Sequence, residues 1–403
     1  MKSVVAHYLA PVGNLIFSGQ WAELGGGAPI AVKAGTNAAL LVRRRERKGR
    51  SRTSPARSTE SARSTTSIPR ASVPSRRGCR AGARPRRVLH PPASRETLRA
   101  MTELTTMTYA VEGRVARITL NRPARGNGIT LAMPRELAAC VERADLDPAV
   151  HVMVLSGNGK GFCGGYDLVA SAEGNMAGMS LDGPDGSPLD PRVIGANHDP
   201  SETWDPVVDY QMMSRNVRGF MSLFHADKPV ICKVHGFCVA GGTDMALCSD
   251  LLVIASDAKI GYPPARVWGV PTTMVWAHRI GIEKAKRLLF TGDCLSGREA
   301  VEWGLAIEHA PAESLDERVE ILAARIARVP INQLVMHKKV INQTVMAQGL
   351  HAGQVMGVFF DGVARHTKEG YGFAARAMAE GFKSAVSERD EPFGDAGPST
   401  FKG

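Results

Sequence analysis

The sequence predicts an α/β layered domain with a helical C-terminal region, preceded by a disordered basic extension. Three observations carry this. Short apolar strand-like runs alternate with amphipathic helical stretches from Thr108 onward. Two glycine-rich turns each follow directly on an apolar strand. The first hundred residues combine strong positive charge with few bulky apolar side chains, a composition that cannot offset the entropy of folding.

The predicted extension spans residues 1–106. Of the 403 residues, the first 100 carry 20 Lys/Arg and 4 Asp/Glu, a balance of +16. The rest carries 30 basic and 35 acidic groups, so the formal net charge of +11 belongs to the extension and the body is mildly acidic. Residues 43–99 are rich in Ser, Arg and Pro. That composition is shared by organelle targeting peptides and nucleic-acid-binding arms. It also suits a dispensable upstream stretch ahead of a start at Met101 or Met107, and this last reading is the one adopted. Nucleic acid is not an expected partner of the acidic body.

The core is predicted over residues 107–290. TYAVEGRVARITLNRP alternates and then condenses into a strand, stopped by Asn-Arg-Pro. LAMPRELAACVERADLD has helical periodicity, with Pro134 tolerated in the first turn. VHVMVLSGNGKGFCGG is a buried strand entering a glycine-rich loop. Residues 171–209 hold eight acids against Arg192, with many Gly and Pro, and are expected to form a long acidic surface loop. A helix (DYQMMSRNVRGFMSLFHAD), a strand (KPVICKVHGFCV), a glycine turn into a second helix (AGGTDMALCSD) and a strand (LLVIASD) follow. Residues 291–403 are assigned to the C-terminal helical region.

The seven cysteines are scattered, with no CxxC pair and no Cys/His cluster of zinc spacing, so no metal site is expected. Cys232 and Cys248 lie in apolar runs, as small buried thiols do. No apolar run of about 18 residues or more occurs, so no membrane span is expected. These features fit a reducing, cytoplasmic location.

The chemistry is expected at the two glycine turns, Gly161–Leu168 and His235–Asp244. Glycine lets backbone N–H groups approach a ligand without an intervening Cβ. In the second turn those groups also open a helix, where orphan donors favour negative charge. Two such donors aimed at one point would hold a carbonyl oxygen that becomes anionic. Each turn taken alone serves equally for tight packing or phosphate binding.

Together with their surroundings, these segments resemble the enoyl-CoA hydratase/isomerase (crotonase) family. ICKVHGFCVAGGTDMALCSDLLVIA, residues 231–255, nearly reproduces that family's signature segment, with Cys232 in place of its usual small residue. KGFCGGYDL resembles its first oxyanion segment, and LNRPARGNGI, from Leu120 to Ile129, its N-terminal motif. RLLFTGDCLSGREAVEWGLAIEHAP resembles its downstream helix and turn. The four matches occur in the expected order across residues 108–395.

The resemblance implies a crotonase-like spiral of ββα units, and a homotrimer or dimer of trimers. By similarity, the backbone N–H groups of Tyr166 and Gly241 form the oxyanion hole for a thioester carbonyl. Ala124, Arg125 and Gly126, with Asp167 and Leu168, line the CoA site, and Arg125 is either a partner for a CoA phosphate or an ordinary solvated arginine. Asp244 occupies the place of the first catalytic carboxylate, usually Glu. Its alternative is a helix-capping aspartate, and the helix dipole is expected to favour its ionised form. The second carboxylate's place falls on Pro264, which cannot transfer a proton. The implied activity is enolate-stabilised chemistry on an acyl-CoA thioester, with hydration of a 2-enoyl-CoA first. Isomerisation by a single carboxylate is the alternative, and a non-catalytic acyl-CoA- or RNA-binding role the third reading. No cofactor is implied, because CoA arrives with the substrate. Asp250 and His235 are expected to be structural, and Trp268, Trp276 and Trp303 to pack.

Overall fold

The computed structural model describes residues 104–167 and 184–394. Its chain opens with the hairpin β1 (Met107–Glu112) and β2 (Val115–Leu120), turning at Gly113 with φ +58°. The alternating run was expected to condense into one strand; Gly113 divides it into two. Next come α1 (Met133–Leu146), with Pro134 in its first turn, and β3 (Val152–Gly157). β4 (Val230–Val234), β6 (Leu251–Ala255) and β9 (Glu308–Ala310) complete a six-stranded sheet of order β1-β2-β3-β4-β6-β9, parallel throughout except for the β1–β2 pair.

Burial on both faces explains the continuous apolar runs of the central strands. Leu155, Ile231, Leu252 and Ile254 are all fully buried. Each such side chain contributes about 1.5–3 kcal/mol. A smaller sheet pairs β5 (Phe237–Val239) with β7 (Lys259–Gly261) in parallel, and β7 with β8 (Cys294–Ser296) antiparallel.

Two further expectations are corrected. The described part of 171–209 is not one long loop. Asp190 caps α2 (Pro191–Asn197) by accepting the Arg192 N–H, and Asp205 caps α3 (Pro206–His225) by accepting the Val207 N–H. The acids read as loop markers are in part helix caps, each followed by Pro at the first helical position. Asp209 is itself helical and buried. The second correction concerns residues 291–403, where two strands, β8 and β9, stand on either side of the first helix and extend the sheets. At three residues each, they are too short to show a period.

The remaining helices are α4 (Gly241–Ala246), α5 (Trp276–Ile280), α6 (Ile282–Thr291), α7 (Gly297–Glu302), α8 (Leu315–Ile326), α9 (Ile331–Ala347), α10 (Leu350–Arg365), α11 (Lys368–Glu380) and α12 (Phe382–Asp390). A buried ion pair ties α9 to the sheet. Lys338 Nζ donates to Asp250 Oδ2 at 2.7 Å and to the Leu223 and Lys228 carbonyls, while Asp250 Oδ2 also accepts the Val230 N–H. Asp250 is structural, as expected. Lys338→Met should destabilise the fold by about 3 kcal/mol, because it leaves a half-buried carboxylate without its cation. Urea unfolding would test this; a loss under about 1 kcal/mol would show that nearby Arg279 compensates. Among the described residues, no helix is long and apolar enough to cross a membrane.

Candidate active site

The two glycine turns follow neighbouring parallel strands, the first after β3 and the second after β4 and β5, and they are zipped together by main-chain bonds. The Phe162 N–H donates to the Phe237 carbonyl at 2.9 Å, and the Val239 N–H to the Cys163 carbonyl at 3.0 Å. Here the approach leaves no room for side chains. A Cβ on Gly165, whose φ is +97°, would fall 2.7 Å from the Ala240 Cβ and 3.3 Å from the Gly241 nitrogen. A Cβ on Gly241 would fall 2.7 Å from the Tyr166 ring.

Tyr166 sits in a bridge with Ile129. The Ile129 N–H donates to the Gly165 carbonyl at 2.8 Å, and the Asp167 N–H to the Ile129 carbonyl at 3.0 Å. Tyr166 lies between these two bonds, and its N–H uses neither. Among the described residues, neither the Tyr166 nor the Gly241 N–H donates a hydrogen bond. α4 spans six residues, so what its first turn offers is an orphan N–H rather than a long macrodipole.

Asn127 organises the N-terminal side. Buried at φ +53°, it accepts the Arg122 N–H at Oδ1, while its Nδ2 donates to the Asn158, Gly161 and Phe162 carbonyls. Ala124 and Arg125 stand exposed on a single 3-10 turn ending at Gly126, whose carbonyl accepts the Gly164 N–H. Arg125, though exposed, pairs with Asp167 at 2.8 Å, and Arg122 pairs with the other carboxylate oxygen at 2.8 Å. Burial alone would raise the Asp167 carboxyl, but the two guanidinium groups outweigh it and hold it below the usual range. The structure thus brings Ala124, Arg125, Gly126 and Asp167 together around the first turn. Leu168 lies outside the described residues.

Asp244 is fully buried and caps nothing. Its Oδ1 accepts the Thr273 N–H and hydroxyl at 3.2 and 2.8 Å, and its Oδ2 those of Thr272 at 3.3 and 3.2 Å. The dipole expectation fails here. Burial pushes the carboxyl from 3.8 up to about 6, against the lowering by the Thr273 and Thr272 hydrogen bonds and with help from the negative charge of Asp361. A six-residue helix cannot outweigh full desolvation.

The Pro264 turn contributes no acid. Tyr262, just before it, donates its hydroxyl to the Val270 carbonyl at 3.0 Å. The segment 270–274 also meets α10, where the Val270 N–H approaches Asp361 Oδ1 at 3.4 Å and Gln354 donates to the Thr273 carbonyl. Among the described residues, the non-glycine residues with positive φ are Asn127, Ala240 and Met274, one beside each half of this site and one in the segment holding Asp244. Such strain persists where surrounding structure over-determines it, and functional sites are where it clusters.

Residues 110–184 and 204–372 match the family model described as enoyl-CoA hydratase/isomerase. The chain belongs to that family. A crystal structure of an enoyl-CoA hydratase from Mycobacterium smegmatis is 54% identical, with a TM-score of 0.69, covering 74% of this chain and 97% of that one. The putative enoyl-CoA hydratase EchA13 of Mycobacterium tuberculosis is 32% identical over 248 residues, 60% of this chain and 74% of its own. The 1,2-epoxyphenylacetyl-CoA isomerase of Escherichia coli is 28% identical over 235 residues. The crotonase fold expected from the four motifs is therefore the fold of this chain. Arg122, Asn127, Thr272, Thr273 and Asp361 were not singled out beforehand. Only Asn127 left a legible trace, standing in a glycine-flanked turn where Asn tolerates positive φ.

His235 is structural, its Nε2 2.9 Å from the Gly159 carbonyl oxygen. Trp276 is buried, and Trp268 packs on Phe373 with ring centroids 4.9 Å apart. In this member of the enoyl-CoA hydratase/isomerase family, the clamp on Asp167 yields a prediction. Asp167→Ala should release both arginines and loosen the turn at Ala124–Gly126, raising KM for an acyl-CoA about tenfold while leaving kcat within about threefold, the pattern of lost uniform binding. Steady-state kinetics would check this; an unchanged KM would remove the turn from the binding site.

Proposed function

We propose that the protein stabilises the enolate of an acyl-CoA thioester and hydrates a 2-enoyl-CoA to the 3-hydroxyacyl-CoA. The observation carrying this reading is the contact between the two glycine turns, which sets the Gly241 nitrogen against Gly165 and Tyr166 with both amides unused among the described residues. The thioester carbonyl oxygen accepts from the Tyr166 and Gly241 N–H groups. Charge that develops on that oxygen as Cβ is attacked is then met by donors already in place. Asp244 takes the proton of the attacking water, and its raised proton affinity suits a base working near neutral pH. The reading needs no metal or redox group, since CoA enters as part of the substrate. Ala124, Arg125, Gly126, Asp167 and Leu168 form the CoA side.

Incubation with crotonyl-CoA, following loss of the conjugated enoyl absorbance, tests the hydratase. Absence of turnover alongside conversion of a 3-enoyl-CoA would replace it with double-bond isomerisation, which Pro264 favours because one carboxylate suffices for a proton shuttle. Absence of any turnover with CoA binding retained would leave a binding protein.

The assembly read with this function is a homotrimer or dimer of trimers. Met336, Val340 and Ile341 on α9 and Val355, Phe359 and Phe360 on α10 are large apolar side chains left exposed on adjacent helices, as at subunit contacts. Light scattering after size exclusion would give the mass of three or six chains; a monomer at micromolar concentration would refute it.

A further inference from the structure

Hydration requires a second group able to carry a proton, and Pro264 holds the turn position where one was expected. The candidate ionisable groups differ in their freedom to act. Asp167 is clamped between Arg122 and Arg125. Tyr262 is committed to the Val270 carbonyl. Asp209 accepts Trp204 Nε1 at 2.7 Å and Asn197 Nδ2 at 3.1 Å, and pairs with Arg365 at 3.0 Å.

Asp361 is held far more loosely. It is 7% exposed, on α10, and among the described residues its carboxylate makes two contacts, both long: the Val270 N–H at 3.4 Å and the Arg365 guanidinium, which sits closer to Asp209, at 3.4 Å. The segment 270–274 brings it near Asp244, for the Val270 N–H reaches Asp361 while the N–H groups of Thr272 and Thr273 reach Asp244. The Tyr166 hydroxyl supplies an independent sign. Among the described residues it is buried and completes no hydrogen bond of good geometry; the Asn216 side chain lies beside it, and the charges of both Asp244 and Asp361 act on it. A buried phenol with only Asn216 as a weak neighbour, on the residue whose amide faces the substrate oxygen in the reading above, keeps its O–H for a ligand or its water.

We infer that Asp361, from the C-terminal helical region, is the second proton-transferring carboxylate of this site, working with Asp244, with the Tyr166 hydroxyl positioning the water or substrate. The inference rests on the acyl-CoA reading. Asp244 takes a proton from water as the water oxygen bonds to Cβ and the π pair moves into the enolate. Asp361 in its acid form then delivers a proton to Cα, and the carbonyl is restored. The proton left on Asp244 returns to Asp361 through solvent, so the cycle balances with one water consumed. Burial raises the Asp361 carboxyl, Arg365 and the Val270 N–H lower it, and Asp209 raises it again. The direction is the one an acid needs.

The test uses the full chain bearing Asp361→Asn. Hydration of crotonyl-CoA should fall about 10²–10⁴-fold in kcat with KM within about threefold. The same variant should lose exchange of the α-protons of butyryl-CoA in D₂O while still binding butyryl-CoA by calorimetry. Asp361→Glu should recover at least about tenfold over the Asn variant. A folded Asp361→Asn protein that hydrates or exchanges at near the parent rate would overturn the assignment. If the Asn variant does not fold, Asp361→Glu decides: an altered kcat with a displaced pH limb supports the role, and unchanged values overturn it. Inactivity of the unmodified chain on every acyl-CoA would instead sink the proposed function, so the two failures are distinguishable.

Discussion

Gly165→Ala should lower kcat/KM for an enoyl-CoA by about 10²–10³, the loss that follows removal of one oxyanion donor. The added methyl has nowhere to go. It would meet the Ala240 Cβ at 2.7 Å and crowd the Gly241 nitrogen at 3.3 Å, on a backbone held at φ +97°. The strain of that dihedral adds about 1–3 kcal/mol of instability. Relief comes by parting the two turns, and that separates the two amides proposed to share one oxygen. Kinetics on crotonyl-CoA, paired with a thermal melt, would check the result. If the variant is folded and its kcat/KM stays within about threefold, close contact of the turns is not what catalysis uses.

Asp244→Asn should cost about 10²–10⁴ in kcat, the usual contribution of a positioned acid or base. Its pH dependence follows from the burial that pushes this carboxyl up to about 6. The base acts ionised, so kcat/KM of the parent should rise as pH rises through about 6, and the variant should lose that limb. Stability has the opposite sign. The folded chain keeps the proton between 3.8 and about 6 while the unfolded chain releases it, so stability falls as pH rises across that interval. A variant with parent activity, or a parent profile flat from pH 5 to 7, would remove Asp244 as the base.

The C-terminal helices show how much of such a site lies outside its motifs. Asp361 stands 117 positions after Asp244 in the chain, yet both accept N–H groups from one short segment, Val270 for Asp361 and Thr272 and Thr273 for Asp244. Arg122 offers a second case. In sequence it is an arginine before a proline, whereas in the fold it shares the Asp167 carboxylate with Arg125.

What the sequence determined by itself was local. Central strands and helices follow from apolar periods, and both glycine turns from residues that alone tolerate their backbone or close approach. The short strands β8 and β9 escaped because three residues carry no period, and the helix caps Asp190 and Asp205 passed for loop acids because charge says nothing about the N–H it accepts. Tertiary structure decided the electrostatics. Whether Asp244 is ionised depends on how much water and which donors surround it, and these are set by Thr272, Thr273 and Asp361 arriving from distant parts of the chain.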